Sequence, residues 1–457
     1  MANFVGVFAI SIRVADPGYL IDDPDSISVK GKHWMISNRL LRADKAWTTA
    51  IGIGALTLLL QASVGTAVTN CTSANTLSAQ NTATKETPTV HASKSSRPGD
   101  YSQAIGEARK IARGVYQRGA PGLYGDMKGH TARPAGLSVA IAIDGQIVWS
   151  EGFGLADLEQ QVPVTPATKF RIGSVSKVLA IAAVAQLYEQ GRLDIDAPIQ
   201  KYVPSFPDKG YVITTRQLAG HLGGIRHYRD DEPTNQKRFN SLVEGFSLFE
   251  NDPLVAPPGT KFFYSSYGYN LIGAVVEGAS GEDYRTYLRT HVFVPLGMDN
   301  TEADDYEKII LHRARFYDPT PDGNFKNSEY EDVSYKWPSG GMLSTPEDLV
   351  RFGLAHLHPG FLKSSTLQLL FTPMRTTSGE NTGHGMGWRI RTDHRWGPEL
   401  DYEHGGEATG GTCSLILYPE TGVVIAAAIN AGNMDFAGIP AIIAVPFLRQ
   451  LEEADRK

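Results

Sequence analysis

Between Phe170 and Leu193 the chain reads FRIGSVSKVLAIAAVAQLYEQGRL, and every position from Val178 to Val184 is apolar. At helical spacing such a run has no polar face, so it predicts a helix buried all round rather than one lying on a surface. Two patterns of a different kind bracket it. GLSVAIAI and QIVWSEGFG, joined at Asp144-Gly145, predict a β-hairpin. GTCSLILYP and VVIAAAIN, joined at Glu420-Thr421-Gly422, predict another near the far end. Helical stretches flank both, YSQAIGEARKIARGVYQRG from Tyr101 and a last segment from near Gly438 to Glu453. This order predicts an α+β fold: an antiparallel sheet flanked by terminal helices, with a mostly helical second region. No internal repeat is visible.

The segments ahead of Tyr101 follow another grammar. AWTTAIGIGALTLLLQASVGTAV, residues 46–68, is uncharged and follows Arg39, Arg42 and Lys45, so it reads as a signal peptide or membrane anchor with its basic side in the cytoplasm. Gly65-Thr66-Ala67 suits signal cleavage, whereas Asn70 before Cys71 makes a poor lipidation site. Residues 1–45 include the acidic VADPGYLIDDPDSISVK, which resembles no targeting segment; they read as an extension of doubtful origin, with translation starting at Met35. Residues 69–100, rich in Ser, Thr, Asn and Ala, read as a disordered linker. The folded domain is thereby expected over 101–452, anchored in a membrane or secreted, outside the cytoplasm. A bacterial periplasm is preferred, a mitochondrion if the cell is eukaryotic.

Composition narrows the function classes. With 457 residues, 42% hydrophobic and 20% charged, the chain has the makings of a large core. A net charge of −6 without a long basic run argues against nucleic-acid binding, which needs clustered Lys and Arg. Two cysteines, Cys71 and Cys413, exclude a disulfide framework and Cys-rich metal sites. The 12 histidines show no metal-ligand spacing, and HLHPG, with His356 and His358, reads as a loop. No metal and no cofactor are expected.

Lys177 is the residue out of place, since it heads the apolar run and an unpartnered buried ammonium costs several kcal/mol. Ser174 stands one helical turn earlier on the same face. Desolvation lowers a lysine's pKa, so the pair reads as a nucleophile and its proton acceptor. Tyr264 follows the Pro/Gly turn of APPGTKFF and opens YSSYGYNLIGAVVEGASG, which turns helical and ends at a glycine. In EHGGEATGG, His404 precedes Gly405-Gly406 just before a strand, where missing side chains let another molecule approach the backbone. STPEDLVRFG is a helix start, with Thr345, Pro346 and Asp348 in capping positions.

Ser174-x-x-Lys177, Tyr264-Ser265-Ser266 and His404-Gly405-Gly406, in that order, resemble the serine β-lactamase and penicillin-binding protein superfamily in its class C-like branch. GHLGGIRHY from Gly220, VPLGMDNT from Val294, PSGGMLSTPEDL from Pro338 and GMGW from Gly385 agree, and within the branch the chain is most similar to the mitochondrial serine β-lactamase-like proteins and their bacterial relatives. The resemblance implies the β-lactamase/transpeptidase-like fold and an acyl-serine intermediate. It makes Ser174 the nucleophile, Lys177 its base and Tyr264 a second proton-transfer group with a phenol pKa lowered by nearby cations. It makes Ser266, His404, Gly405 and Gly406 the pocket, and the amides of Ser174 and Glu407 the oxyanion hole. Ser266 stands where β-lactamases commonly carry asparagine, and His404 where a lysine usually binds a carboxylate. Both departures weaken a class C β-lactamase reading and fit a peptidase or esterase of the same machinery; an amide- or ester-cleaving, peptidase-like enzyme for a small-molecule or peptide substrate is the expectation, with a class C β-lactamase or a D-Ala carboxypeptidase/esterase as alternatives. The mitochondrial relatives' association with filaments leaves a homo-oligomeric scaffold as another reading.

Overall fold

The two hairpins expected from the sequence share one sheet in the structure, a computed structural model that describes residues 99–456 except 120–132, 230–231, 393–397, 399, 435 and 437. The expected extension, the apolar segment over 46–68 and nearly all of the linker lie outside the described residues. Helix α1 covers Ser102–Arg118. Strands β1 (Gly136–Ile143) and β2 (Gln146–Asp157) form the first hairpin, with the short β3 (Val162–Pro163) beside it. Helices α2 (Ser176–Glu189), α3 (Ser266–Ser280) and α4 (Pro346–Leu357) belong to the long middle. Then come β4 (Arg389–Arg391), β5 (Asp401–Ala408), β6 (Gly411–Tyr418) and β7 (Val423–Ile429), and α5 (Ile439–Asp455) closes the fold.

The sheet order is β3-β2-β1-β7-β6-β5-β4, antiparallel throughout. Strand β1 pairs with β7 from Leu137 opposite Ile429 to Ile143 opposite Val423, so the two ends of the domain are joined at the sheet's centre. Leu137, Val139 and Ile141 face a core built with α1 and α5, including Ala108 and Phe447. Ala140 and Ala142 face the other way, into a core shared with α2 and α4. Both faces are covered, which is why these strands lack the apolar–polar alternation of a half-solvated sheet. Each fully buried Leu, Ile or Val in these layers contributes about 1.5–3 kcal/mol through lost water contact.

Helix α2 is buried from Ser176 through Ala185, as its uniformly apolar sequence requires. Helix α3 starts where Ser265 Oγ accepts from the Gly268 amide at 2.9 Å and stops at Gly281, which takes the left-handed conformation. Helix α4 has the expected start, with Thr345 Oγ1 accepting from the Asp348 amide. Its end differs from the sequence reading. His356 lies in the last turn rather than in a loop, buried with its ring 4.2 Å from Phe352 and 5.8 Å from Trp388. Leu349 and Phe352 set a helical period that His356 continues, and its Nδ1 donates to the Phe352 carbonyl at 2.8 Å, so the imidazole packs as an aromatic. Among the described residues no helix is long and apolar enough to cross a membrane.

Candidate active site

A short strand, Phe170–Arg171, pairs with Met342–Ser344 and sets the entry to α2. Arg171 fixes its far side: its buried guanidinium holds Asp304 at 2.7 Å and Glu331 at 3.0 Å and donates to the Thr409 carbonyl. The chain then turns through Gly173, whose φ of +50° is a conformation side chains resist, and presents Ser174 in a single 3-10 turn ahead of the helix. Lys177 follows one turn on, with no exposed surface. Its Nζ lies 2.9 Å from Ser174 Oγ, 3.1 Å from Ser266 Oγ and 2.7 Å from the Ser339 carbonyl oxygen. The Tyr264 hydroxyl donates to Ser174 Oγ at 2.8 Å. The three side chains singled out from the sequence therefore meet at one oxygen.

Strand β5 brings the glycine pair alongside. A Cβ on Gly406 would collide with the Ile172 carbonyl and fall 2.8 Å from the Ser174 amide nitrogen. That glycine makes room for the protein's own turn, whereas Gly405 is exposed and borders open space. The sequence reading left both positions to an approaching molecule; of the two, Gly405 is the one with open space beside it. A Cβ on Gly173 would fall 2.6 Å from the Glu407 amide nitrogen, so the backbones carrying the Ser174 and Glu407 amides abut. His404 and Gly406 share one face of the strand, and His404 is buried on the nucleophile's side. Ser266 is placed beneath the site: only 3% exposed, it engages Lys177 rather than a surface a substrate could reach.

The electrostatics follow from dryness. Burial, reinforced by the charge of Lys336, holds the Lys177 amine well below the ordinary lysine pKa. The Tyr264 phenol moves in the opposite direction from the one expected. Burial pushes it up, which outweighs the lowering by its bond to Ser174, so it stays a neutral donor. The amine beside it, Lys177 Nζ, lies 4.9 Å from the ring centre, and burial disfavours its charged form.

Histidines that sequence reasoning weighed only as metal ligands line the same place. His221 packs 4.4 Å from the Tyr264 ring and its Nδ1 accepts from the Ser265 amide at 3.1 Å. His227 Nδ1 accepts from the next amide, Ser266, at 3.2 Å, with its ring edge-on to Tyr264 at 5.5 Å. Burial lowers His227 to about 4 and His404 to about 3. His384 is lowered by the same cause. The signal for His221 and His227 in the sequence was GHLGGIRHY, quoted above as a signature without a role for its rings. Among the described residues no group of three or more His, Cys, Asp or Glu side chains is arranged to hold a metal.

The Beta-lactamase family model matches residues 109–445. The chain belongs to this family of serine hydrolases, and its fold is that of the penicillin-binding proteins and β-lactamases. The human mitochondrial serine beta-lactamase-like protein LACTB is 34% identical over 377 residues, covering 62% of this chain and 69% of that protein. Penicillin-binding protein 4* of Bacillus subtilis is 25% identical over 62% of this chain and 65% of its own. Among solved structures, the D-amino acid amidase of Ochrobactrum anthropi with L-phenylalanine superposes with a TM-score of 0.62 at 25% identity, covering 79% of this chain and all of that one.

Proposed function

We propose that this β-lactamase-family protein hydrolyses an amide or ester bond through an acyl-Ser174 intermediate, with a peptide amide the favoured substrate. One observation carries the reading: Ser174 Oγ lies within 2.9 Å of a buried amine and 2.8 Å of a phenol. A neutral amine has two N–H groups and one lone pair. The N–H groups suit the Ser339 carbonyl and Ser266 Oγ, which leaves the lone pair for the Ser174 hydroxyl. Lys177 takes that proton as Oγ bonds to the carbonyl carbon, and the amides of Ser174 and Glu407 receive the oxyanion, each donor typically worth about 3–4 kcal/mol. Tyr264 gives its proton to the departing nitrogen or oxygen and regains one from Lys177. Water then repeats the sequence on the acyl-enzyme in reverse roles.

A peptide is favoured because the carboxylate-binding charge is missing: burial lowers His404, which stands where a lysine usually binds a carboxylate, to about 3. The names of an amidase among the solved relatives and of a penicillin-binding protein among the others support amide-bond chemistry. Intact-mass analysis after exposure to a fluorophosphonate and to a penicillin tests the reading. A single covalent adduct on Ser174, absent from Ser174→Ala, is expected; a wild-type chain that stays unmodified by both overturns it. The apolar stretch over 46–68 is proposed to carry the domain out of the cytoplasm, which protease protection of intact cells or organelles checks.

A further inference from the structure

Hydrogen-bond partners fix the tautomers of the histidines around Ser174, because an amide N–H can only donate and a carbonyl can only accept. His227 Nδ1 accepts from the Ser266 amide, so its proton sits on Nε2. His404 Nδ1 lies 2.6 Å from the Gly405 carbonyl and must donate to it, so its Nε2 carries a lone pair. The two rings therefore offer opposite polarities. His227, half-buried beside Tyr264, carries an N–H at Nε2; His404, buried on the strand that abuts the nucleophile's turn, carries an acceptor at Nε2.

Neither ring supplies a positive charge, and the neighbouring amine and guanidinium groups are otherwise engaged. Lys177 is held by Ser174, Ser266 and Ser339. Arg389 and Arg391 on β4 are paired with Glu403 at 3.4 and 3.3 Å. A carboxylate placed against His404 would set its charge against a lone pair in a dry site, which is repulsive and costs desolvation. An amide group has a C=O for the first ring and an N–H for the second.

We propose that His227 and His404 are specificity-determining residues that select an uncharged peptide segment, with the His227 Nε2–H donating to a substrate carbonyl and the His404 Nε2 accepting from a substrate N–H. This rests on the hydrolase reading above and deepens it by naming the substrate class: capped or internal peptide rather than a chain ending in a free carboxylate at the site. The low pKa values of both rings agree with it, since both stay neutral across the physiological range.

The test uses one peptide in two forms, acetylated with a C-terminal carboxamide or acetylated with a C-terminal free acid, the scissile bond preceding the last residue. Wild-type kcat/KM is expected to favour the carboxamide by at least about tenfold, the worth of one well-placed hydrogen bond. His404→Lys should erase or invert that ratio, a readout independent of the fraction of folded enzyme. His227→Ala should lower kcat/KM on the carboxamide about tenfold, mainly through KM, with His227→Gln recovering part of it by restoring an N–H. A wild-type enzyme that cleaves the free acid equally well or better, or a ratio unmoved in His404→Lys, overturns the proposal while fluorophosphonate labelling of wild-type Ser174 leaves the hydrolase reading standing. A wild-type chain labelled by neither the fluorophosphonate nor a penicillin overturns both.

Discussion

The carbonyl oxygen of Ser339 accepts from Lys177 Nζ at 2.7 Å, across 162 residues of chain. That bond and the one to Ser266 aim the amine's remaining valence at Ser174. Lys177→Met keeps a flexible, unbranched side chain of similar bulk in the core but has no lone pair of comparable basicity. Acylation of Ser174 should fall by about 10²–10⁴-fold, the usual worth of a general base, with cooperative thermal unfolding retained. Labelling rates and a melting curve on the same preparation check both halves. Lys177→Arg should lose acylation as well, because a guanidinium does not deprotonate.

Tyr264 works in this account as a phenol. Tyr264→Phe keeps the ring that packs 4.4 Å from His221 but removes the proton donated to Ser174 Oγ. Turnover of amides, whose nitrogen must be protonated to leave, should fall further than turnover of activated esters. Because burial raises the phenol's pKa, wild-type activity should show no limb near pH 10, the ordinary phenol value. A pH profile of amide and ester hydrolysis by both proteins measures this.

The neutral histidines make stability depend on pH. His404 titrates near 3 and His227 near 4 in the folded protein, against 6.5 for a free ring. Their contribution is fully present above about pH 6.5 and is lost as pH falls toward those values, since the unfolded chain binds protons first. Denaturant unfolding should therefore weaken between about pH 6.5 and 4. His404→Gln should make that decline shallower, by up to about 1.4 kcal/mol per pH unit for the one proton removed.

The adjacent glycines of β5 should respond in opposite ways. Gly406→Ala drives a methyl into the Ile172 carbonyl and against the Ser174 amide, so both stability and acylation should drop. Gly405→Ala meets nothing within 4 Å and should fold like wild type. Melting temperatures of the two variants decide the point.

Lys177 was legible in the sequence because a lone charge inside an apolar helix needs a reason, and Ser174 at helical spacing supplied one. The sheet was legible through its two hairpins, whose strands are apolar enough to be buried on both faces. The Ser339 carbonyl was not, since a backbone acceptor carries no letter of its own and is brought in by the pairing of Phe170–Arg171 with Met342–Ser344. The direction of the Tyr264 shift was missed for a related reason: the burial of the phenol itself, which raises its pKa, comes from the fold around it. The roles of His221 and His227 rest on the amides of Ser265 and Ser266, contacts that only the fold creates.

The rate of Ser174 acylation by a fluorophosphonate, followed across pH in wild type and Lys177→Met, bears most directly on a neutral lysine as the base. The expected wild-type rate rises through one ionisation well below 10.5, the ordinary lysine value, and the variant loses that rise. A wild-type inflection at or above that value, or a variant with the same profile, contradicts the account.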